Sequence, residues 1–133
     1  MIRLFFILFI SSLILADPPS EWDTDGDEVF DNISAYLNSA SITSQITMNG
    51  LDVGSSGDML AAFVDGELRG IAPDFDVTFG PNLGKSFFLL LIYSDASGGE
   101  TVNFKFYDLE TDSVYDINET YAFVADDTQG DLF

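Results

Sequence analysis

The chain has 133 residues, no cysteine and no histidine, and its 23 acidic residues face only four cationic ones. This composition excludes disulfide scaffolds and histidine-activated nucleophiles, and a formal charge of −19 disfavours nucleic acid and anionic lipid as partners. No pair of carboxylates stands in a recognisable catalytic motif, so an enzyme is not predicted.

Residues 1–16 have the pattern of a secretory signal peptide. One cation, Arg3, precedes an apolar run over residues 4–15, and Ala16 supplies a small residue for cleavage. The run is too short to span a bilayer comfortably, so we expect no membrane insertion after the signal is removed. The expected location is secreted, either extracellular or at the cell surface. Without disulfides, such a chain depends on its core, and on bound cations, for stability.

Residues 17–35 form a predicted acidic linker with four regularly spaced aspartates. They stand at relative positions 1, 3, 5 and 9 of one loop: Asp23, Asp25, Asp27 and Asp31. Carboxylates this close in sequence repel one another, and a calcium ion held by hard oxygen ligands removes the repulsion. We predict a calcium site formed by these side chains and the carbonyl of Val29. The alternative is a solvated acidic linker without an ion.

Two residues depart from the usual calcium loop. Glu28 stands at position 6, where glycine normally makes the sharp turn, and Ser34 stands at position 12, where a bidentate acid normally closes the site. A non-glycine residue in the left-handed backbone region costs about 1 kcal/mol. The missing carboxylate also weakens attraction for a hard cation, so we expect a weak site.

Residues 36–133 predict one β domain, because apolar alternation is broken by glycine and aspartate turns about every ten residues. Asp65-Gly66 lies between two β-prone runs and predicts a two-residue hairpin turn. The run over residues 86–93 is apolar on both faces, which favours a central strand over a helix. The predicted fold is all-β, an antiparallel two-sheet sandwich, Ig-like or jelly-roll-like. Its seven predicted strands cover residues 41–48, 59–64, 67–72, 86–93, 102–107, 114–117 and 121–125.

A few polar and aromatic residues have two interpretations. Trp22, beside the aspartates, either packs the linker against the domain or stacks on a sugar ring. Arg69 either forms a structural ion pair, which we favour, or contacts a ligand. Asn32 and Asn118 begin N-glycosylation acceptor patterns, which are short and frequent by chance.

The segment Asp-Thr-Asp-Gly-Asp at residues 23–27, with Asp31, resembles the aspartate loops of thrombospondin type 3 repeats and of dockerin modules. Both families bind calcium. The resemblance implies direct ligation by Asp23, Asp25 and Asp27, with the carbonyl of Val29 and a weaker role for Asp31. Dockerins use a pair of such loops and this chain has one, so cohesin binding is not implied.

A longer resemblance covers nearly all of the chain after the signal peptide. It is similar to β modules found, often repeated, in large secreted and surface proteins of environmental bacteria, and it implies an adhesive, scaffolding or substrate-presenting role without catalytic residues. The predicted function is a non-catalytic binding or scaffold module with a structural calcium site; the alternative is a carbohydrate-binding module. Expected partners are an extracellular protein or polysaccharide surface and adjacent modules, if the chain belongs to a longer protein. The resemblance rests on residues 17–27, 42–48, 57–70, 91–94 and 99–108.

Overall fold

The computed structural model describes residues 16–132, and β-strands account for nearly all regular structure in this range. The one helical segment within it is a 3-10 turn at Ile33–Ala35, so no described helix has the length or apolar character to cross a membrane. The predicted signal peptide lies outside the described residues except for Ala16. The strands are β1 (Asn38–Ser44), β2 (Thr47–Met48), β3 (Leu51–Asp52), β4 (Met59–Val64), β5 (Glu67–Asp76), β6 (Ser86–Ser94), β7 (Gly98–Asp108), β8 (Ser113–Val124) and β9 (Thr128–Gln129).

Seven of these strands form one curled sheet in the order β8-β7-β4-β5-β6-β1-β9, and β2 and β3 form a separate two-stranded sheet. Neighbouring strands are antiparallel except β1 and β9, which are parallel, so the large sheet is mixed. The all-β class is confirmed. The two-sheet sandwich is not confirmed, because the large sheet curls into a half-barrel.

The hairpin predicted at Asp65-Gly66 is confirmed. Both residues have positive φ angles, 48° and 79°. A two-residue turn whose twist matches that of the flanking strands requires this geometry. Residues 86–93 are confirmed as a strand, since β6 covers them. The two strands predicted over 114–117 and 121–125 are one strand, β8, whose pairing with β7 shifts register opposite Asn103–Lys105.

Both faces of the curled sheet carry buried apolar side chains. The larger core lies on one face and is formed by Ala40, Leu60, Ala62, Val64, Ala72, Phe88, Leu90, Ile92, Val102, Phe104, Phe106 and Phe123. The smaller core lies on the other face and is formed by Trp22, Phe30, Met59, Ala61, Ile71 and Tyr107. Two residues of the predicted linker, Trp22 and Phe30, therefore pack against the sheet.

Candidate metal centre

The aspartate loop, Asp23–Asp31, is held between two buried aromatic side chains. Trp22 is 3 % exposed and meets the ring of Phe63 edge-on, with centroids 5.9 Å apart. Phe30 is 6 % exposed and stacks on Tyr93 at 5.6 Å. Burial of an aromatic side chain is among the largest contributions one residue makes to stability, so both ends of the loop are fixed to the sheet.

The four predicted aspartates come together in this loop. One carboxylate oxygen from each of Asp23, Asp25, Asp27 and Asp31 lies within 4.8 Å of the other three. Asp23 is partly buried and the others are exposed. This set of hard oxygen atoms around one point is able to bind a metal ion.

Backbone N–H groups of the loop orient two of these carboxylates. Asp23 accepts a hydrogen bond from Gly26 N through Oδ1 and one from Glu28 N through Oδ2, both at 2.8 Å. Asp31 Oδ2 accepts from Thr24 N at 3.1 Å and from Thr24 Oγ1 at 2.5 Å. The loop thus closes on itself, with its first and last aspartates fixed by residues between them.

Asp25 and Asp27 have fewer such restraints. Asp25 Oδ1 accepts from Asp27 N at 3.3 Å, and Asp27 Oδ1 accepts from Val29 N at 2.9 Å. The side chain of Val29 is half exposed. Its predicted role, ligation through its carbonyl, stays a prediction. Ser34 is exposed in the 3-10 turn after the loop.

The expected backbone strain is present at Glu28. Its φ is 62°, in the left-handed region, and Gly26 two residues earlier has φ 78°. Glycine adopts this conformation without steric penalty, whereas the Cβ of Glu28 crowds the backbone. The loop therefore makes its sharp turn with a glutamate at position 6.

The pKa values of Asp23 and Asp25, the first two acids of the loop, are shifted in opposite directions. Burial raises the pKa of Asp23, but the N–H groups of Glu28 and Gly26 outweigh it and lower the pKa below its ordinary value. For Asp25, the N–H of Asp27 lowers the pKa, but desolvation and the Asp27 carboxylate together raise it. A cation bound here would relieve the repulsion between Asp25 and Asp27.

Arg69 takes part in the predicted structural ion pair and has a second partner that the sequence did not indicate. Its Nη1 and Nη2 donate to the two carboxylate oxygens of Glu100 at 3.2 and 3.1 Å, and its Nε donates to Glu67 at 2.9 Å. The guanidinium lies 5.0 Å from the centre of the Tyr36 ring, and the Tyr36 hydroxyl donates to Glu67 at 2.6 Å. The network joins the N-terminal segment to β5 and β7.

Comparison with protein-family models, curated proteins and solved structures finds no match to this chain. The functional assignment therefore rests on the residues and their geometry.

Proposed function

We propose that this protein is a secreted or cell-surface, non-catalytic binding or scaffold module, and that a calcium ion in the aspartate loop stabilises its N-terminal segment. The observation that carries the proposal is the convergence of four carboxylates, one oxygen from each within 4.8 Å of the others, on a segment that is packed against the sheet.

The donor set favours calcium among the common metals. The chain offers carboxylate oxygens and has neither histidine nor cysteine, which are the ligands that zinc and copper sites usually need. Calcium accepts six to eight oxygen ligands in flexible geometry, so carboxylates, a backbone carbonyl such as that of Val29 and water together form a suitable shell. Magnesium requires a more regular octahedron and keeps more of its water.

The ion has a mechanical role in this arrangement. Trp22 and Phe30 fix the two ends of the loop, while the residues between them, partly buried Asp23 apart, are exposed, and the acids among them carry like charges. Calcium would neutralise that repulsion and hold the N-terminal segment against the smaller core. The resemblance to thrombospondin type 3 and dockerin loops, and to repeated bacterial surface modules, supports the same role: a rigid segment that presents the β domain to a neighbouring module or surface.

A carbohydrate-binding module has less support from the structure. Trp22, which could have stacked on a sugar ring, is 3 % exposed and packs against Phe63, so its ring faces the protein. Of the two interpretations of Trp22, packing of the linker against the domain is the one that the structure supports.

The direct test is a thermal melt with and without millimolar calcium. Calcium that binds the folded chain raises the melting temperature, and the rise grows with calcium concentration. Asp25→Ala should remove most of this rise, weakening calcium binding about ten-fold or more, because it removes a ligand and disturbs one backbone hydrogen bond.

Glu119→Ala is the matched control. It also removes one exposed negative charge, but from β8, far along the chain from the aspartate loop. The control should keep the full calcium-dependent rise. Equal loss of the rise in both variants would mean that calcium responds to overall charge, and the site in the loop would be disproved.

A further inference from the structure

Three buried side-chain oxygens within residues 16–132 have no hydrogen-bond partner, and all lie on adjacent strands of the curled sheet. They are Asp74 Oδ1 on β5, Ser86 Oγ on β6 and Ser44 Oγ on β1. Buried polar groups in native proteins almost always have a partner, so an orphaned buried oxygen points to a ligand from outside the chain. The grouping of all three on neighbouring strands identifies a second region to consider.

The strand register brings two of these atoms to one place. Asp76 is directly opposite Ser86, and Asp74 is directly opposite Phe88, whose ring is buried in the larger core. Directly opposite side chains share a face, with Cβ atoms about 4.5–5.5 Å apart, and so do residues two apart on a strand. Asp74, Asp76 and Ser86 therefore share one face where β5 ends and β6 begins, and we call them the strand-end cluster. Ser86 is buried, Asp74 is partly buried and Asp76 is exposed.

Ser44 belongs to the same row but not to the same site. It is opposite Phe88 on the other side of β6, so β6 separates it from Asp74. Two strand spacings amount to about 10 Å, which is beyond the reach of a single ion.

The loop before β4 packs against the strand-end cluster and passes close to the serine hydroxyl. Asp74 N donates to the carbonyl of Asp58 at 3.1 Å, which fixes this loop to β5. A Cβ at Gly54 would lie 2.9 Å from Ser86 Oγ and 3.2 Å from the ring of Phe88, so a side chain at this position would crowd the serine hydroxyl. Ser86 is 5 % exposed and lies directly opposite Asp76 in the strand pair.

The charges around the strand-end cluster are negative. Asp76, Asp58 and Asp52 are the charged groups that act most strongly on Asp74. The carboxylate of Asp58 is already satisfied by Ser55 N at 2.7 Å, Ser55 Oγ at 3.1 Å and Leu109 N at 2.9 Å. Asp76 is exposed, and its carboxyl group lies within hydrogen-bond reach of that of Asp74, so either a shared proton or a bound cation would relieve the repulsion between the two.

We propose that the strand-end cluster is a second calcium site, with the carboxylates of Asp74 and Asp76 and the hydroxyl of Ser86 as ligands. All three donors are hard oxygens, and calcium tolerates the irregular geometry that two strand ends and a covering loop provide. The ion would tie β5 to β6 beneath the loop at residues 53–58. This site is independent of the aspartate loop, and each can exist without the other.

Calcium titration by calorimetry of the purified protein and three variants tests the proposal. The wild-type protein should bind two equivalents of calcium. Asp25→Ala with Asp27→Ala, which removes two ligands of the aspartate loop, should leave one equivalent. Asp74→Asn with Asp76→Asn should also leave one, and Glu119→Gln, the charge-matched control, should leave two.

Gly54→Ala is a further variant for the titration, and it tests the strand-end cluster without removing a carboxylate. Its added methyl group would crowd Ser86 Oγ and displace this ligand, so calcium affinity at the strand-end cluster should fall about ten-fold or more while the aspartate loop is unaffected. Far-ultraviolet circular dichroism of each variant confirms that the sheet is retained.

The outcomes separate the two sites. One equivalent in the wild type that disappears with the Asp25 and Asp27 substitutions would overturn the strand-end site and leave the aspartate loop intact. One equivalent that disappears only with the Asp74 and Asp76 substitutions would support the strand-end site and overturn the proposed loop. Two equivalents retained after Asp74→Asn with Asp76→Asn would mean that Asp74 Oδ1 holds only water or a proton, and would overturn the second site.

Discussion

The two acidic regions of this protein differ in what their carboxylates contact. In the aspartate loop the carboxylates are partly or fully exposed, and each accepts a hydrogen bond from the loop's own backbone. In the strand-end cluster a carboxylate oxygen of Asp74 and the hydroxyl of Ser86 are buried with no partner. The aspartate loop has the denser run of acids, yet its carboxylates have more hydrogen-bond partners. Burial without a partner indicates a need for a ligand more strongly than charge density does.

The aspartate loop depends on its aromatic anchors, and Phe30→Ala is the strongest way to break it. The substitution removes a buried aromatic ring from the smaller core and should lower the free energy of unfolding by about 3–5 kcal/mol. Chemical denaturation followed by the emission of Trp22, the single tryptophan, measures it. Val29→Ala, at a half-exposed neighbour, should change stability by less than about 0.5 kcal/mol. Equal effects would mean that the segment is not anchored.

The carboxylates of the Arg69 network, Glu67 and Glu100, differ from those of the two acidic regions because they are paired with a guanidinium. Glu100→Gln should cost about 2–3 kcal/mol, since it weakens the two hydrogen bonds from a guanidinium that is 11 % exposed. Glu67→Gln should cost less than about 1 kcal/mol, because Glu67 is 62 % exposed. Denaturation with urea distinguishes the two variants.

The same network gives a pH dependence. Hydrogen bonds from Ser94 and Arg69 lower the pKa of Glu100, so the folded state binds its proton less readily than the unfolded state. The resulting stabilisation is present above the unfolded pKa near 4.5 and is lost as the pH falls through the folded pKa. Glu100→Gln should therefore lose less stability on acidification than the wild type; an equal loss would contradict the pairing.

Asp74 should show the opposite pH dependence in calcium-free buffer. Burial, with the like charges of Asp76, Asp58 and Asp52, raises its pKa from 3.8 to about 6. The folded state then holds the proton more tightly, so this contribution is complete below pH 3.8 and is lost as the pH rises through about 6.

The measurement compares the melting temperature of Asp74→Asn with that of the wild type across this range. The variant should gain relative stability as the pH rises from 4 to 7, because it has no charge to bury. Calcium should restore the melting temperature of the wild type above pH 6. A constant difference between the two proteins would show that Asp74 ionises without penalty.

Glu28→Gly should have a small and stabilising effect, and it acts on the aspartate loop alone. It relieves a left-handed backbone angle of 62° and should stabilise the protein by about 1 kcal/mol. Glu28→Ala removes the same charge but keeps the strain, so it should not stabilise. If both variants gain stability equally, the gain comes from charge.

Local patterns in the sequence predicted much of the fold. The boundaries predicted for β4 agree with the structure because a tight turn at Asp65-Gly66 follows it, and turn chemistry is local. The break predicted between residues 117 and 121 was wrong, since β8 continues through Asn118, Glu119 and Thr120. All three are exposed on a strand at the sheet edge, where polar residues fit a strand as well as a turn.

The aspartate loop and the strand-end cluster also differ in how far local sequence indicated that their residues would meet. The four aspartates lie within nine residues, so their spacing alone indicated that they would meet. Asp76 and Ser86 are opposite each other only because of the β5–β6 register, and Glu100 on β7 contacts Arg69 on β5 across 31 positions of sequence. The sequence has no local signal for such pairs, because strand register depends on packing along the whole sheet.

Amide hydrogen exchange in the N-terminal segment, with and without calcium, tests the proposed role of the aspartate loop most directly. The N–H groups of Thr24, Gly26 and Glu28 donate to aspartates in this loop. We predict that millimolar calcium slows their exchange, leaves that of exposed β8 unchanged, and has no such effect in Asp25→Ala. Equal exchange rates with and without calcium would contradict an ion that holds this segment on the sheet.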